Sequence, residues 1–265
     1  SKLFVISGSS GVGKGTVLKD FEEEYPVSKE GCGNPSLKQG DAVTKAGRVN
    51  VSVKEANLEQ SDFSFLQNKY DFIVVSHALN ELWKDSPGSL QKKEALLLSL
   101  TCALKEDGIL LLCEPSLLQT SRTLIKLRNA LVKNGLRVLS PCCLNQSECP
   151  ALASGENQTC HAEVEWTPLE SVAVLANLAK LDRTSVKMTF FAFTKKSESR
   201  AQDSLQNVYT VVSDPMLNKA GRVRLLLCNG KERIAFSAKK DDARAKKAGF
   251  FNLKRYCKIA LEQAE

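Results

Sequence analysis

The sequence predicts a doubly wound α/β domain followed by a small basic β unit, and three observations carry that expectation. Short continuous apolar runs alternate with helix-patterned segments up to residue 139, as in parallel strands whose sheet is covered by helices on both faces. A glycine-rich turn follows the first apolar run, which is where open α/β sheets bind phosphate-bearing ligands. From Lys219 to Lys258 there are 13 Lys or Arg against 3 Asp or Glu, in a chain of net charge +7, so the basic charge is gathered at one end.

The elements follow in order. LFVIS is a short apolar strand. The turn GSSGVGKGT leads into TVLKDFEEEY, where Val17, Leu18, Phe21 and Tyr25 sit at roughly helical spacing. RVNVSV alternates as a strand, and YDFIVVSHAL is a buried strand running into a loop. LQKKEALLLSLTCAL is an amphipathic helix. DGILLLCEP is a second buried strand, with Gly108 before it and Pro115 after it. SRTLIKLRNALVKNG is a helix that ends on Gly135, the residue type that tolerates the left-handed position after a helix. Residues 1–139 therefore read as the α/β domain. Residues 140–196 read as a cysteine loop with a returning helix and the strand SVKMTFFAFTKK. Residues 197–265 read as a basic β unit closed by a helix, DARAKKAGFFNLKRYCKIALEQ. Residues 27–48 are weakly patterned. The chain opens directly on an apolar strand, and residues N-terminal to it are expected.

With 265 residues, 43% of them hydrophobic and 25% charged, the chain has the composition of a globular protein with material for a core. No apolar run is long enough to span a bilayer. Nine cysteines, an odd number in a chain of this length, do not form a secreted disulfide scaffold and point to a reducing compartment.

Cys143, Cys149 and Cys160 lie within a polar, proline-broken loop, and Cys228 ends the strand-like run RVRLLLC. Soft thiolates at short spacing, completed by one distant thiolate, suit zinc or an iron–sulfur cluster, and sequence alone does not separate the two. Such a centre would tie the loop to a distant strand. His161, next to Cys160, would either act from outside the ligand set or be a satisfied structural histidine.

The glycine turn has two ligand readings besides that of a plain tight turn. As a phosphate loop of the type G-x-x-x-x-G-K-S/T, Gly8, Gly13 and Lys14 fit, but Gly15 occupies the hydroxyl position and Thr16 comes one residue late. This guanylate-kinase-like resemblance stops after about twenty residues. As an S-adenosylmethionine loop, Gly11, Gly13 and Gly15 with Thr16 let the backbone approach the ligand. Glu30 would accept the ribose hydroxyls, and Asn57 and His77 would line the crevice. Ser9 stands where such loops are usually preceded by an acid. Glu81 and Glu114 lie at strand ends near the same crevice.

Arg222, Arg224, Lys239, Lys240, Arg244, Lys246 and Lys247 are candidates for phosphate contact with RNA, together with Lys231, Arg233, Lys254 and Arg255. Phe250, Phe251 and Tyr256 would either stack on unpaired bases or pack in a core.

Several strings fall in one order: GVGKGTVL, YDFIVVSHALNEL, GILLLCEPSLLQTSRTLIKLRNALVKNGLRVLSPC, the cysteine loop, and RVRLLLCNGKERIAF followed by basic residues. That order resembles the methyltransferase-like family of mitochondrial small-ribosomal-subunit assembly factors, from Leu3 to about Tyr256. The resemblance implies a class I methyltransferase-like (Rossmann-like) domain with a basic C-terminal β unit, and a full or vestigial S-adenosylmethionine pocket. It also implies a four-cysteine 4Fe–4S site, earlier read as zinc. The implied partners are small-subunit ribosomal RNA and ribosomal proteins, with no membrane and no DNA, in the mitochondrial matrix. By the family's pattern Cys143 lies six residues before Cys149-Pro150, with Cys142 adjacent and able to take its place. Cys160-His161 supplies the third ligand and Cys228 the fourth. The His of the family's first Cys-Pro-His string is absent, and GFFNLKRY stands where a tryptophan-rich string is usual. Binding is expected to be the main function. An active S-adenosylmethionine-dependent ribosomal-RNA methyltransferase and a P-loop nucleotide-binding protein are the alternatives.

Overall fold

A computed structural model describes residues 2–8, 16–23, 49–60, 69–181, 183–196 and 207–261. They form two sheets, and the cysteine loop of the larger contacts the smaller. The larger has eight strands: β1 (Lys2–Gly8), β2 (Thr16–Glu23), β3 (Val49–Ala56), β4 (Tyr70–Ser76), β5 (Leu104–Pro115), β6 (Arg137–Ser140), β7 (Ala162–Glu165) and β8 (Ser185–Thr194). Their order is β3-β2-β1-β4-β5-β8-β6, with β7 also on β8.

Three strands, β1, β4 and β5, run parallel, and their apolar runs are buried where helices lie over them. Ile6, Ile73, Val75, Leu110 and Leu112 are fully buried. Helix α1 (Ser89–Ala103) connects β4 to β5, and α2 (Leu118–Lys133) connects β5 to β6. Both crossovers step the same way across the sheet. Right-handed connections therefore put both helices on one face, where they pack against each other and against β5. The buried stripe of α2 runs through Leu124, Ile125, Leu127 and Leu131. The helix stops where Gly135 takes φ 90°. Gly135 N–H donates to Val132 O at 3.0 Å and Leu136 N–H to Leu131 O at 3.1 Å, the paired bonds of a Schellman end.

β8 lies antiparallel between β5 and β6. Its first residues pair with β7 instead, so the segment after Ser140 returns to the sheet that precedes it. Phe191 and Phe193 are fully buried there, and Ser121 of α2 meets Thr189 of β8 at 2.7 Å between hydroxyls.

The smaller sheet is antiparallel throughout. It contains β9 (Val208–Val211), β10 (Met216–Leu217), β11 (Arg222–Cys228), β12 (Arg233–Lys239) and β13 (Lys258–Ala260). Its core is Tyr209, Val211, Leu225, Leu227 and Phe250, with Ala245 and Phe251 packed against it.

Two sequence expectations are corrected here. Thr16–Glu23 is not helical. It forms β2, antiparallel to both β1 and β3, because pairing along both edges outweighs a short helical period. The closing segment is not one helix. Asp242 caps a short α5 (Ala243–Lys247) by accepting from the N–H groups of Arg244 and Ala245. The chain then makes a single 3₁₀ turn at Phe250–Asn252 and ends in β13. Two further helices, α3 (Pro150–Ala153) and α4 (Glu170–Leu178), lie in the middle segment.

Candidate metal centre and nucleic-acid face

Four thiols from three segments pack against one core at the seam between the sheets. Cys142 follows β6, Cys149 precedes α3, Cys160 precedes β7, and Cys228 ends β11. Cys149 and Cys160 are buried, and Cys142 and Cys228 are packed against the same core. The electrostatic influence of Cys149, Cys160 and Cys228 reaches Cys142, and that of Cys149 and Cys160 reaches Cys228. All four are free thiols.

Cys143 points elsewhere: its Sγ lies 3.2 Å from Thr210 Oγ1 on β9. Of the two adjacent cysteines, Cys142 is therefore the one gathered with the others. Among the described residues no group of three or more His, Cys, Asp or Glu side chains is arranged to hold a metal ion.

The loop that carries these cysteines is held from both sides. Asn129 of α2 accepts the Cys149 N–H at 3.0 Å and donates to Glu148 Oε2 at 2.8 Å. Arg122 Nη1 donates to the carbonyls of Gly155 and Gln158 at 2.8 and 2.9 Å. From the smaller sheet, Arg233 Nη2 donates to Thr159 O at 2.8 Å, and Leu144 N–H donates to Asn229 O at 2.8 Å. The β11–β12 turn comes so close that a Cβ on Gly230 would lie 2.5 Å from Leu144 O, and Gly230 has φ 99°. Only glycine fits there. Asn229 Oδ1 accepts from the N–H groups of Lys231 and Glu232 and shapes the same turn.

Burial raises the thiols of Cys142 and Cys160 and pushes Cys228 up to about 11, since desolvation disfavours the thiolate. Cations oppose that effect: Arg128 acts on Cys142, and Arg233 acts on Cys160 and Cys228. Arg128 is fully buried, and its Nε and Nη2 have no hydrogen-bond partner. Its Nη1 donates to Gln146 O and to Asn129 Oδ1. A fully buried guanidinium with unused donors needs an anion nearby, and deprotonated Cys142 would be that anion. The donor set thus fits a thiolate-bound centre in residue type, number, burial and compensating charge.

Tyr256 joins the seam. Its hydroxyl lies 3.4 Å from Cys160 Sγ, and its ring meets Phe190 edge-on with centroids 5.6 Å apart. His161 is partly buried, with Nδ1 3.3 Å from Thr159 Oγ1, and burial lowers its pKa. Arg128, Arg233 and Tyr256 escape sequence reasoning as seam residues, because nothing local marks them. The buried face of α2 also carries Ser121 and Asn129, so Arg128 does not stand out there.

The basic candidates divide into two groups. β11–β12 register pairs Arg222 with Lys239 and Arg224 with Ser237, which puts Arg222, Arg224 and Lys239 on the face opposite Val223, Leu225 and Leu227. Arg224, Lys239 and Lys240 are exposed, and Arg222 is half-buried, donating to the Ser237 carbonyl and hydroxyl. Arg244, Lys246 and Lys247 are exposed on α5. Arg233 and Arg255 are internal instead. Arg255 makes two bonds of 2.9 Å to Asp214 and one of 2.7 Å to Val212 O. Phe250 is buried and Phe251 packs against it, so these rings belong to the core.

The S-adenosylmethionine candidates Gly11, Gly13, Gly15 and Glu30 lie outside the described residues. Thr16 begins β2. Asn57 is exposed and accepts the Glu59 N–H at 3.0 Å. His77 is exposed, has φ 54° and donates its N–H to Cys113 O at 2.9 Å.

Fold and seam together define a Rossmann-like α/β protein with a cysteine-lined junction to a basic β unit. Over residues 2–249 the chain matches the family described as mitochondrial small ribosomal subunit Rsm22. It belongs to that family, whose setting is the mitochondrial small ribosomal subunit. No curated protein shows a significant match, and no helix among the described residues is long and apolar enough to cross a membrane.

Proposed function

We propose that this protein is an RNA-binding assembly factor of the mitochondrial small ribosomal subunit, acting in the matrix. Its α/β body serves as a scaffold, and Cys142, Cys149, Cys160 and Cys228 hold a 4Fe–4S cluster. The observation that carries this reading is the packing of four thiols from three segments against one core, within electrostatic reach of one another. Four thiolates suit a 4Fe–4S cluster as well as tetrahedral zinc, and the family resemblance favours the cluster.

When bound, the cluster supplies bonds that cross-link the loop to β11. The chain's own residues do the rest. Arg128 and Arg233 balance thiolate charge, the Tyr256 hydroxyl donates toward Cys160, and Gly230 lets the β11–β12 turn seat against Leu144. Fixing β11 fixes the face that carries Arg222, Arg224 and Lys239 for phosphate contact. The strand order, with β8 reversed between β5 and β6, supports a methyltransferase-like sheet. The antiparallel β1–β2 pair departs from the strand–helix turn that S-adenosylmethionine binding needs and supports binding over catalysis.

Iron and sulfide analysis of anaerobically purified protein, with its absorption spectrum, tests the centre. Cys142→Ser is expected to lose iron and sulfide together, and Cys143→Ser to keep both. Zinc without iron in the wild type would remove the cluster. Retained iron in Cys142→Ser with loss in Cys143→Ser would reverse the assignment of the first ligand.

A further inference from the structure

A second site lies on the larger sheet, where the loop after β4 and the start of α2 enclose a cavity of about 350 Å³ near the carboxyl ends of β4 and β5. Glu114, 1% exposed, lines it. Its Oε1 accepts the Leu79 N–H at 2.7 Å and the N–H groups of Asn80 and Ala78 also act on the carboxyl, but its Oε2 is buried with no hydrogen-bond partner. Asn80 lies on the same wall. Its Nδ2 donates to Glu81 Oε1 at 2.9 Å, which orients the amide and leaves its buried Oδ1 also without a partner. Lys93 of α1, 6% exposed, lines the cavity within electrostatic reach of Glu114. Leu79, Leu124 and Leu127 supply apolar surface.

The loop over this cavity is strained. His77, Trp83 and Asp85 have φ of 54°, 47° and 59°, and a bulky residue such as Trp83 is seldom found there. Trp83 is held by its N–H, which donates to Glu59 Oε1 at 2.7 Å. Strain of this kind gathers at ligand sites, and buried acceptors without donors need an explanation.

Two unused acceptors, one buried ammonium and apolar walls complement a flat group that offers adjacent N–H donors beside a carbonyl. Guanine has that edge: N1–H and the 2-amino group donate, and O6 accepts. Adenine lacks the carbonyl, uracil offers one N–H, and cytosine would turn its ring-nitrogen and O2 acceptors toward the carboxylate. We propose that this cavity takes an unpaired guanine of the bound RNA, its two donors meeting Glu114 Oε2 and Asn80 Oδ1 and its O6 meeting Lys93. The inference rests on the RNA-binding reading above and adds a base contact to its phosphate contacts. Unpaired bases read on their Watson–Crick edges are the usual source of sequence specificity on RNA.

The test is fluorescence anisotropy of the full chain with short labelled oligouridines whose central residue is uridine, guanosine or inosine. The guanosine probe is expected to bind roughly tenfold tighter than the uridine probe. Inosine, which lacks the 2-amino group, recovers only part of that gain. Glu114→Gln abolishes the guanosine preference. Inosine alters the ligand and not the protein, so a folding defect in the variant does not obscure the result. Equal wild-type affinities for guanosine and uridine probes, with salt-dependent binding intact, overturn the guanine site and leave the RNA reading standing. A guanosine preference that neither inosine nor Glu114→Gln reduces overturns it too. Binding of no probe overturns both.

Discussion

The larger sheet has two long helices packed on one face and a core from Phe4 to Phe193 that Val212 of the smaller unit also joins. Among the described residues the smaller sheet's own core has five buried apolar side chains, three of them fully buried, and Thr210 of β9 and Asn229 just after β11 also contact the cysteine loop. A unit with so small a core is marginal by itself. The smaller sheet therefore depends on the seam for its position, whereas the larger depends on its own packing.

The widest separation should come from paired core truncations. Phe193→Ala, in the larger sheet, is expected to cost roughly 3–5 kcal/mol and to lower the main thermal transition. Leu227→Ala, also fully buried, should cost about 2–5 kcal/mol yet raise amide exchange chiefly in residues 207–261. Uniform exchange across both sheets in Leu227→Ala would show that the two units open as one.

Glu114 sharpens the contrast on the larger sheet. Burial raises its carboxyl from 4.5 to about 7, against the N–H groups of Leu79, Asn80 and Ala78 and the Lys93 charge, which pull it down. Between those values the folded chain holds a proton that the unfolded chain has released. Stability should therefore fall as pH rises from 4.5 through 7. Glu114→Gln is expected to flatten that slope and to stabilise the protein by about 3 kcal/mol at pH 8, read as a denaturation midpoint at several pH values. An unchanged slope would place the pH dependence elsewhere.

The smallest expected effect concerns the seam. Gly230→Ala should cost about 2 kcal/mol, from left-handed backbone and from contact with Leu144 O. Limited proteolysis should show cleavage beginning in the smaller sheet. A fully native digestion pattern would mean that the β11–β12 turn yields without releasing the unit.

Much of the larger sheet was legible in the sequence because its strands are continuous apolar runs and α2 ends on a glycine that has to be left-handed. β2 was misread because four apolar residues over one short segment fit a helix as well as a paired strand, and only the neighbours decide. The closing helix failed because capping by Asp242 starts a helix without fixing its length. The cysteine loop announced itself by composition, but counting residues does not distinguish two adjacent cysteines. Cys142 faces the seam and Cys143 faces Thr210 because successive side chains diverge from the backbone. Arg128 and Tyr256 come from distant segments and carry no local pattern.

The late return of β8 has a consequence for biogenesis. In a chain that emerges N-terminus first, β5 has a bare hydrogen-bonding edge until residues 185–194 arrive, and during that interval the cysteine loop also lacks Cys228. A bare apolar edge templates pairing with other chains, and thiols awaiting a partner are open to oxidation. A nascent copy of this protein is therefore expected to be a client for chaperones until its eighth strand has slotted home.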